Sequence, residues 1–232
     1  MGDNGMKVRL VTYTPDPERV VAMAAKSCHT VDNPAMGEMS EQEIGAIIRI
    51  TRDAGHHSVL EHASFTFAID NVSRALTHQL VRHRLASYSQ QSQRYVNLEP
   101  LDYVLPPTVA GNPEARRKYE EVMGFLEKSY GELVNMGIPL EDARYILPNA
   151  THTNIIVTMN ARELINFFTL RTCMKAQWEI RAMAYVMLRL VRDIAPTIFE
   201  NAGPACLRGD CPEGEVECAI RMRKGLLKGA GP

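Results

Sequence analysis

The sequence is poor in the features that mark exported, membrane-spanning or disulfide-stabilised proteins. Its 232 residues include five cysteines and one tryptophan, and aromatic residues make up 6%. Such an odd, sparse set of cysteines does not suit a small disulfide scaffold. No apolar run approaches the roughly 18 residues that a membrane helix needs, and the first residues lack the basic and apolar regions of an export signal. We therefore expect a soluble, cytoplasmic protein.

An excess of charge of either sign is also lacking. The chain has 26 Lys and Arg residues against 27 Asp and Glu residues, which gives a formal net charge of -1. This balance excludes a generally basic nucleic-acid-packaging protein and a strongly acidic disordered tail. No repeat and no linker rich in Gly, Pro or Ser is present, and the composition is 45% hydrophobic. We therefore expect one domain that buries its own core.

Helices and a few strands are predicted in an irregular order. Ser40 and Glu43 form a capping box before a helix, whereas the alternation of Phe65, Phe67 and Ile69 is typical of a strand with one buried face. Further helices are predicted from Asp16-Pro17, Ser73, Asn112-Pro113 and Pro139 and over residues 161–194, and a second strand over 155–159. The steady alternation of a doubly wound sheet is missing. We predict an α+β fold in which helices pack around a small, mainly antiparallel sheet.

Positive charge is concentrated in residues 71–98, a stretch without any acidic residue. Its formal charge is +4, from Arg74, Arg82, Arg84 and Arg94. Arginine rather than lysine favours bidentate recognition of phosphate, and the neighbouring serines and glutamines are neutral hydrogen-bonding groups. A small phosphorylated ligand fits this pattern best. A polynucleotide would need more aromatic side chains than are present, and an Arg-rich helix end that pairs with acids elsewhere is the third interpretation.

A second cluster, GHHSVLEH at residues 55–62, holds three histidines and a glutamate. It lies in a predicted helix-to-strand connection, and its spacing differs from that of the HExxH zinc motif. A loop that hydrogen-bonds a polar cofactor explains the cluster at least as well as a metal site does.

The cysteines give little indication of a metal site. Cys206, Cys211 and Cys218 lie near the C-terminus without a CxxC pair, so we expect free thiols on a surface tail. Cys28 and Cys173 fall in helical patterns and are predicted to be small buried hydrophobic residues.

The triplet Arg82-His83-Arg84, followed after seven residues by Ser92, resembles the RHR-x7-S signature of flavin-dependent thymidylate synthases. The similarity continues in the same order across most of the chain. The other segments that carry it are Ser27, GHxSxxEH at 55–62, Ala143-Arg144, Asn160-Ala161-Arg162, Asn166-Phe167, Leu170-Arg171 and AQWE at 176–179. Beyond about residue 200 the likeness is loose. We accordingly expect the family's catalytic domain over residues 1–200 and a C-terminal tail of unassigned role over 201–232.

The resemblance implies an enzyme that methylates dUMP to dTMP. Methylenetetrahydrofolate would donate the carbon, bound FAD would relay the hydride and NADPH would be the reductant. The family also implies a homotetramer with active sites shared between chains. By motif position, the FAD contacts would be His56, Ser58, Arg82, His83, Arg84, Gln90, Asn160, Arg162 and Asn166. The dUMP contacts would be Gln79, Arg82, Gln90, Ser92, Gln93, Arg94, Arg144 and Arg171, with no metal ligand.

The chemistry of the reaction agrees with these residues. The carbon arrives as methylene and leaves as methyl, so a redox cofactor must supply two electrons. We expect neither Cys28 nor Cys173 to act as a nucleophile. We therefore expect electrostatic activation of the uracil by Arg171, an effect of the oxyanion-hole type, while Arg94 and Arg144 hold the phosphate.

Two positions depart from the family pattern. Gln90 stands where many relatives have glutamate, so hydrogen bonding to flavin or nucleotide remains but a general-base role does not. Lys175 stands where a histidine is often found and adds a cation near the site. The alternative to an enzyme is a nucleotide- or RNA-binding protein without catalysis.

Overall fold

A computed structural model describes residues 5–31, 37–209, 211–214 and 218. The strands are β1 (Lys7–Tyr13), β2 (Ser64–Ser73), β3 (Ala86–Gln90) and β4 (His152–Asn160). The α-helices are α1 (Pro17–Ser27), α2 (Glu41–Asp53), α3 (Arg74–Leu80), α4 (Pro107–Ala110), α5 (Pro113–Asn135), α6 (Leu140–Ala143), α7 (Ala161–Arg171) and α8 (Trp178–Ile194). Short 3-10 helices cover His57–His62, Arg144–Ile146 and Ala205–Leu207. No helix in these ranges is long and apolar enough to cross a membrane.

The four strands form one small antiparallel sheet in the order β1-β2-β4-β3. The side chains of Thr66 on β2 and Thr158 on β4 lie 2.9 Å apart, and farther along Asn71 N donates to Asn154 Oδ1. Residue numbers therefore rise on one strand as they fall on the other, as antiparallel pairing requires. The predicted α+β class with a small antiparallel sheet is confirmed.

The chain forms two compact units, each assembled from separated segments. The first comprises the segment up to Arg9, Ala68–Arg82 and Tyr88–Val157, and the second comprises Leu10–Phe67, His83–Ser87 and the residues from Thr158 onward. The domain boundary expected at residue 200 stays a prediction.

The first unit is organised around the long helix α5. Asn112 caps this helix because its Oδ1 accepts hydrogen bonds from Glu114 N and Ala115 N, and Met123 and Tyr130 are buried on its inner face. Leu76 and Leu80 of α3 are also fully buried. This core holds α3, whose N-terminal residue is Arg74, the first arginine of the arginine-rich stretch.

The second unit contains an aromatic core. Phe199 packs against Phe65 and Phe168, with ring centroids 5.5 and 6.1 Å apart, and Phe168 packs against Phe167 at 5.6 Å. All four rings are fully buried. Since Phe167 and Phe168 lie on α7, this packing fixes the helix that carries several of the predicted site residues.

Local signals predicted most element boundaries, with some exceptions. Ser40 Oγ accepts from Glu43 N, and the helix that follows ends at Asp53 before Gly55, as predicted. Asp16 precedes α1 but does not cap it with its side chain, since its backbone is left-handed and its carboxylate accepts from Arg19 instead. The helix predicted over 161–194 is interrupted at 172–177, where Gln177 caps a new helix. Strands β1 and β3 were not predicted.

Candidate active site

The predicted signature triplet divides into two exposed arginines and one buried histidine. Arg82 and Arg84 are exposed, whereas His83 has only 4% of its surface accessible. His83 Nδ1 lies 3.0 Å from Glu163 Oε1, and Arg171 Nε donates to His83 Nε2 across 3.0 Å. The edge of the ring meets Phe167, with centroids 5.0 Å apart. The histidine therefore joins a buried carboxylate to the arginine expected to act on uracil.

The donors in this chain of contacts determine the tautomer of His83. An arginine Nε–H can only donate, so His83 Nε2 must be the accepting, unprotonated nitrogen. Nδ1 then carries the proton and donates it to Glu163. Burial lowers the pKa of His83, the hydrogen bond that it donates to Glu163 raises this pKa, and the positive charge of Arg171 lowers it. Because Nε2 must accept from Arg171, the imidazole in this arrangement is neutral.

The start of α7 brings together the three predicted flavin contacts of that segment. Asn160 caps the helix, since its Oδ1 accepts from Glu163 N at 2.9 Å, and one turn later Asn166 Nδ2 lies 3.4 Å from Glu163 Oε1. Arg162 Nη1 donates to Glu61 Oε1 of the histidine-rich segment. Ala161 N donates to Ala63 O at the end of the same segment. The cap and these contacts place the GHHSVLEH segment beside the helix start.

A cavity of about 680 Å³ opens beside this helix. Arg162 and Asn166 both line it, as expected for two ligand contacts one turn apart on the same face. Its other basic side chains are Arg52, Arg208 and His57, and apolar walls come from Leu60, Leu85, Ile165 and Ile198. The size lies within the roughly 300–1,000 Å³ of small-molecule sites. Arginines and apolar walls together suit a ligand with phosphate and a flat ring system.

The predicted contacts of the histidine-rich segment are less enclosed. His56 and Ser58 are exposed and do not line the cavity, whereas His57 and Leu60 of the same segment do. The segment is a 3-10 helix over His57–His62 rather than an open loop. Val59 and Leu60 anchor it in the core.

Predicted nucleotide contacts of the first unit lie at the end of α3, on β3 and in the turn that follows. Gln90 Nε2 donates to Thr77 Oγ1 at 2.9 Å and to Thr153 Oγ1 at 3.2 Å. Gln79 Nε2 donates to Ala75 O in its own helix. Ser92 and Gln93 are half-buried, and Ser92 Oγ accepts from Arg94 N.

The two predicted phosphate ligands meet at one acidic residue. Arg94 Nε donates to Glu141 Oε2 at 2.9 Å, and Arg144 Nε donates to the backbone oxygen of the same residue at 3.1 Å. A third guanidinium, Arg74, has its pKa lowered by burial and by repulsion from Arg144. The structure thus groups the expected pair around Glu141. Arg94 also pairs with an acidic residue elsewhere in the chain, which agrees in part with the third interpretation of the arginine-rich stretch.

Sequence reasoning missed several residues of these two groups. The sequence alone does not mark Glu163, Glu141, Arg52 or Arg208 as site residues, because each has a contact with a residue far away in the chain. Arg208, for example, donates to Thr169 Oγ1 on α7. Only the early position of Glu163 in its helix is visible in the sequence, and it predicts a favourable helix start rather than a contact with His83.

The cysteine predictions need correction. Cys28 is exposed at the end of α1, and Cys173 is half-buried in the turn after α7, so neither is a buried core residue within a helix. Cys206 is buried instead of lying on a surface tail. A cavity of about 240 Å³ is lined by Cys173, Cys206 and Cys211 together with Arg171 and Lys175. Within the described ranges, no three His, Cys, Asp or Glu side chains are grouped as metal ligands.

Comparison with known proteins agrees with the resemblance. The family described as "Thymidylate synthase complementing protein" matches residues 9–197. A flavin-dependent thymidylate synthase from Geobacter sulfurreducens is 54% identical over 217 residues, covering 92% of this chain and 94% of the relative. Proteins of the same name from Clostridium tetani and Nitratidesulfovibrio vulgaris are 46% and 45% identical, over 96% and 90% of this chain and 98% and 92% of theirs.

These relatives are named as enzymes, so the alternative of a binding protein without catalysis finds no support among them. The family match also spans both signature segments, the arginine triplet and the start of α7. Because the similarity extends over almost the full length of each relative, the chain belongs to the flavin-dependent thymidylate synthases.

Proposed function

We propose that this chain methylates dUMP to dTMP, with methylenetetrahydrofolate as carbon donor, FAD as bound cofactor and NADPH as reductant. The observation that carries the proposal is the presence of two groups at or beside the family's motif positions. One unit holds the arginine pair at Glu141, and the other holds the Glu163-His83-Arg171 chain, in which Glu163 and His83 are buried. A protein that only bound nucleotides would not need the second group.

The residues of the second unit fit a flavin nucleotide. The 680 Å³ cavity offers the guanidinium groups of Arg52, Arg162 and Arg208 to phosphate, and the amide of Asn166 to a polar ring edge. The proposed FAD contacts of this unit also include His56, Ser58, His83, Arg84 and Asn160. Arg82 and Gln90 belong to the first unit, and we propose that they contact FAD in an active site shared between chains. When bound, FAD supplies the two-electron redox chemistry that turns a methylene group into methyl. The chain's part is to bind the cofactor, orient it and exclude water.

The residues of the first unit fit the nucleotide monophosphate. Arg94 and Arg144 are already grouped by Glu141, and a phosphate carrying up to two negative charges competes well with one exposed carboxylate for such donors. The other proposed dUMP contacts of this unit are Gln79, Arg82, Gln90, Ser92 and Gln93. Arg171 belongs to the second unit, and we propose that it joins them in an active site shared between chains. The cluster therefore requires only local rearrangement of Glu141 to accept the phosphate.

Arg171 is the proposed catalytic residue. Methylation at C5 requires electron density on that carbon, which an anionic uracil provides. A planar guanidinium held by His83 stabilises negative charge on the pyrimidine without itself changing protonation, because arginine stays charged. A preorganised cation of this kind replaces the thiolate that covalent activation would require.

Gln90 acts in this proposal only through hydrogen bonds. Its amide nitrogen already donates to two threonine hydroxyls, which orients its oxygen as the group left to accept from a ligand. A carboxamide cannot take up a proton as a general base at neutral pH. Lys175 lines the same cavity as Arg171 and contributes positive charge there.

Assembly as a homotetramer with shared sites is part of the proposal. Large apolar side chains are exposed directly next to proposed site residues in the sequence. They are Val81 beside Arg82, Leu85 beside Arg84, Tyr95 beside Arg94, Tyr145 beside Arg144 and Leu170 beside Arg171. Exposed apolar residues around polar binding groups are typical of surfaces that other chains or ligands cover.

The proposal is tested by spectroscopy and turnover on the purified protein. We expect a yellow protein whose flavin bands bleach with NADPH under anaerobic conditions and return with oxygen. dTMP should form only when dUMP, methylenetetrahydrofolate and NADPH are all present. Arg162→Ala should weaken FAD binding, whereas Arg116→Ala, which removes an exposed arginine paired with Glu120 on α5, should not. A colourless protein that takes up no FAD would refute the proposal.

A further inference from the structure

The carboxylate of Glu163 lines the 680 Å³ cavity and lies near Asn166, but neither contact accounts for its shorter pairing with His83. Only 5% of Glu163 is accessible, and a carboxylate removed from water is unfavourable unless it is paired. A glutamate in the first turn of a helix favours the helix start, but that effect operates equally well at the exposed surface. The side chain instead points at His83, to which it is joined by the 3.0 Å contact.

The contact between Glu163 and His83 affects Arg171, because it determines which nitrogen of His83 can accept a hydrogen bond. Ionised glutamate only accepts, so it requires a proton on His83 Nδ1 and leaves Nε2 free of one. Nε2 is then able to accept from Arg171 Nε at 3.0 Å. In the other tautomer Nε2 would carry a proton and face a second donor. The carboxylate therefore selects the only neutral form of the imidazole that can hold the guanidinium.

We infer that Glu163 and His83 are positioning residues that fix the plane of the Arg171 guanidinium against the pyrimidine of dUMP. The inference rests on the proposed role of Arg171. It adds Glu163 and gives His83, already a proposed FAD contact, a second role that acts through Arg171. His83 packs against Phe167 and has only 4% of its surface accessible, so water has little access to either contact. The arrangement parallels the carboxylate–histidine pairs that orient metal ions, with a guanidinium in place of the metal.

Protonation of His83 gives the inference a pH signature. Glu163 and Arg171, both on α7, are charged groups that act on this ring. A second proton would enter at Nε2 and break the contact with Arg171, so kcat should fall on the acid side as His83 becomes charged. The carboxylate raises the pKa of His83. Removing the charge of Glu163 should therefore shift the acid limb of the pH profile, which is the fall of kcat on the acid side, to lower pH.

The experiment measures kcat and KM for dUMP across pH 5–9 in the wild-type holoenzyme and in variants. Glu163→Gln keeps the shape but supplies an amide that can donate as well as accept. We expect kcat to fall on the order of tenfold to a hundredfold, as for other outer-shell partners, with a smaller change in KM and an acid limb at lower pH. His83→Gln keeps an acceptor for Arg171, so it should retain more activity than His83→Ala and should lose the acid limb. Glu120→Gln, which removes an exposed carboxylate from α5, is the matched control. It should leave kcat and KM for dUMP unchanged across this pH range.

A double-variant comparison separates positioning from a general structural effect. Lysine has no Nε–H for His83 to orient, so Glu163→Gln should cause little further loss in kcat in the Arg171→Lys background. Additive losses, or a Glu163→Gln enzyme with unchanged kcat and acid limb, would overturn the inference. Failure of the proposed function is a different result, because the wild-type protein would then form no dTMP or Arg171→Ala would be fully active.

Discussion

The activation of uracil by Arg171 rather than by a cysteine can be tested with two sets of variants. Cys28 is exposed at the end of α1, and its thiol lies 3.8 Å from Ala24 O. Cys173 is half-buried and lines the same 240 Å³ cavity as Arg171, so position alone does not separate the two mechanisms. Replacing both cysteines by alanine removes one exposed and one half-buried thiol. The loss of packing is at most about 1 kcal/mol, and dTMP formation should stay within tenfold of wild type.

Arg171→Ala should behave in the opposite way. The guanidinium is held by the 3.0 Å contact with His83, so its orientation is established before substrate binds. Removing one preorganised donor from such a site costs about 10²–10³ in rate, or roughly 2.7–4 kcal/mol of transition-state stabilisation. Arg171→Lys should fall between wild type and alanine, because the charge remains but the planar fork is lost.

The assay is release of tritium from C5-labelled dUMP together with chromatographic detection of dTMP. Anaerobic bleaching of the flavin by NADPH serves as an internal control, since that half-reaction does not need the uracil and should persist in Arg171→Ala. The electrostatic mechanism is wrong if the double cysteine variant is inactive while Arg171→Ala turns over dUMP normally.

Further predictions concern stability and assembly. Phe167→Ala should lower the free energy of unfolding by about 3–5 kcal/mol, because it empties a fully buried ring site; a urea titration showing a loss below about 1 kcal/mol would contradict the packing described. Ser73 caps α3 by accepting from Leu76 N, so Ser73→Ala should cost about 1 kcal/mol in the same assay. Burial lowers the pKa of His83 in the folded state, so the unfolded state binds more protons at acid pH. The free energy of unfolding should therefore fall as the pH drops below about 6.5, and this fall should be smaller in His83→Gln. If sites are shared between chains, FAD should shift sedimentation toward the larger assembly, and Leu85→Asp should weaken both FAD binding and assembly; a monomer that binds FAD tightly argues against shared sites.

Much of the secondary structure follows from short-range signals in the sequence. Ser40 and Asn112 begin helices because their side chains accept from backbone N–H groups two or three residues on, and alternation buries one face of β2. Such signals do not predict the interruption between α7 and α8, because helical periodicity continues across it. The new helix begins where Gln177 caps it. Strand β3 is not predicted either, because its serines and glutamine have low strand propensity. It forms by pairing with β4 at the edge of the sheet.

The sequence by itself determined the family, the α+β class and the arginines and amides that match the family's motifs. Only the tertiary structure decided which of these residues meet. The contact of His83 with Glu163 spans 80 residues of chain, and that with Arg171 spans 88. Periodicity and capping act over a few residues and cannot encode such pairs. They form because the aromatic core of the second unit fixes α7, which places Glu163 and Arg171 on either side of a buried imidazole.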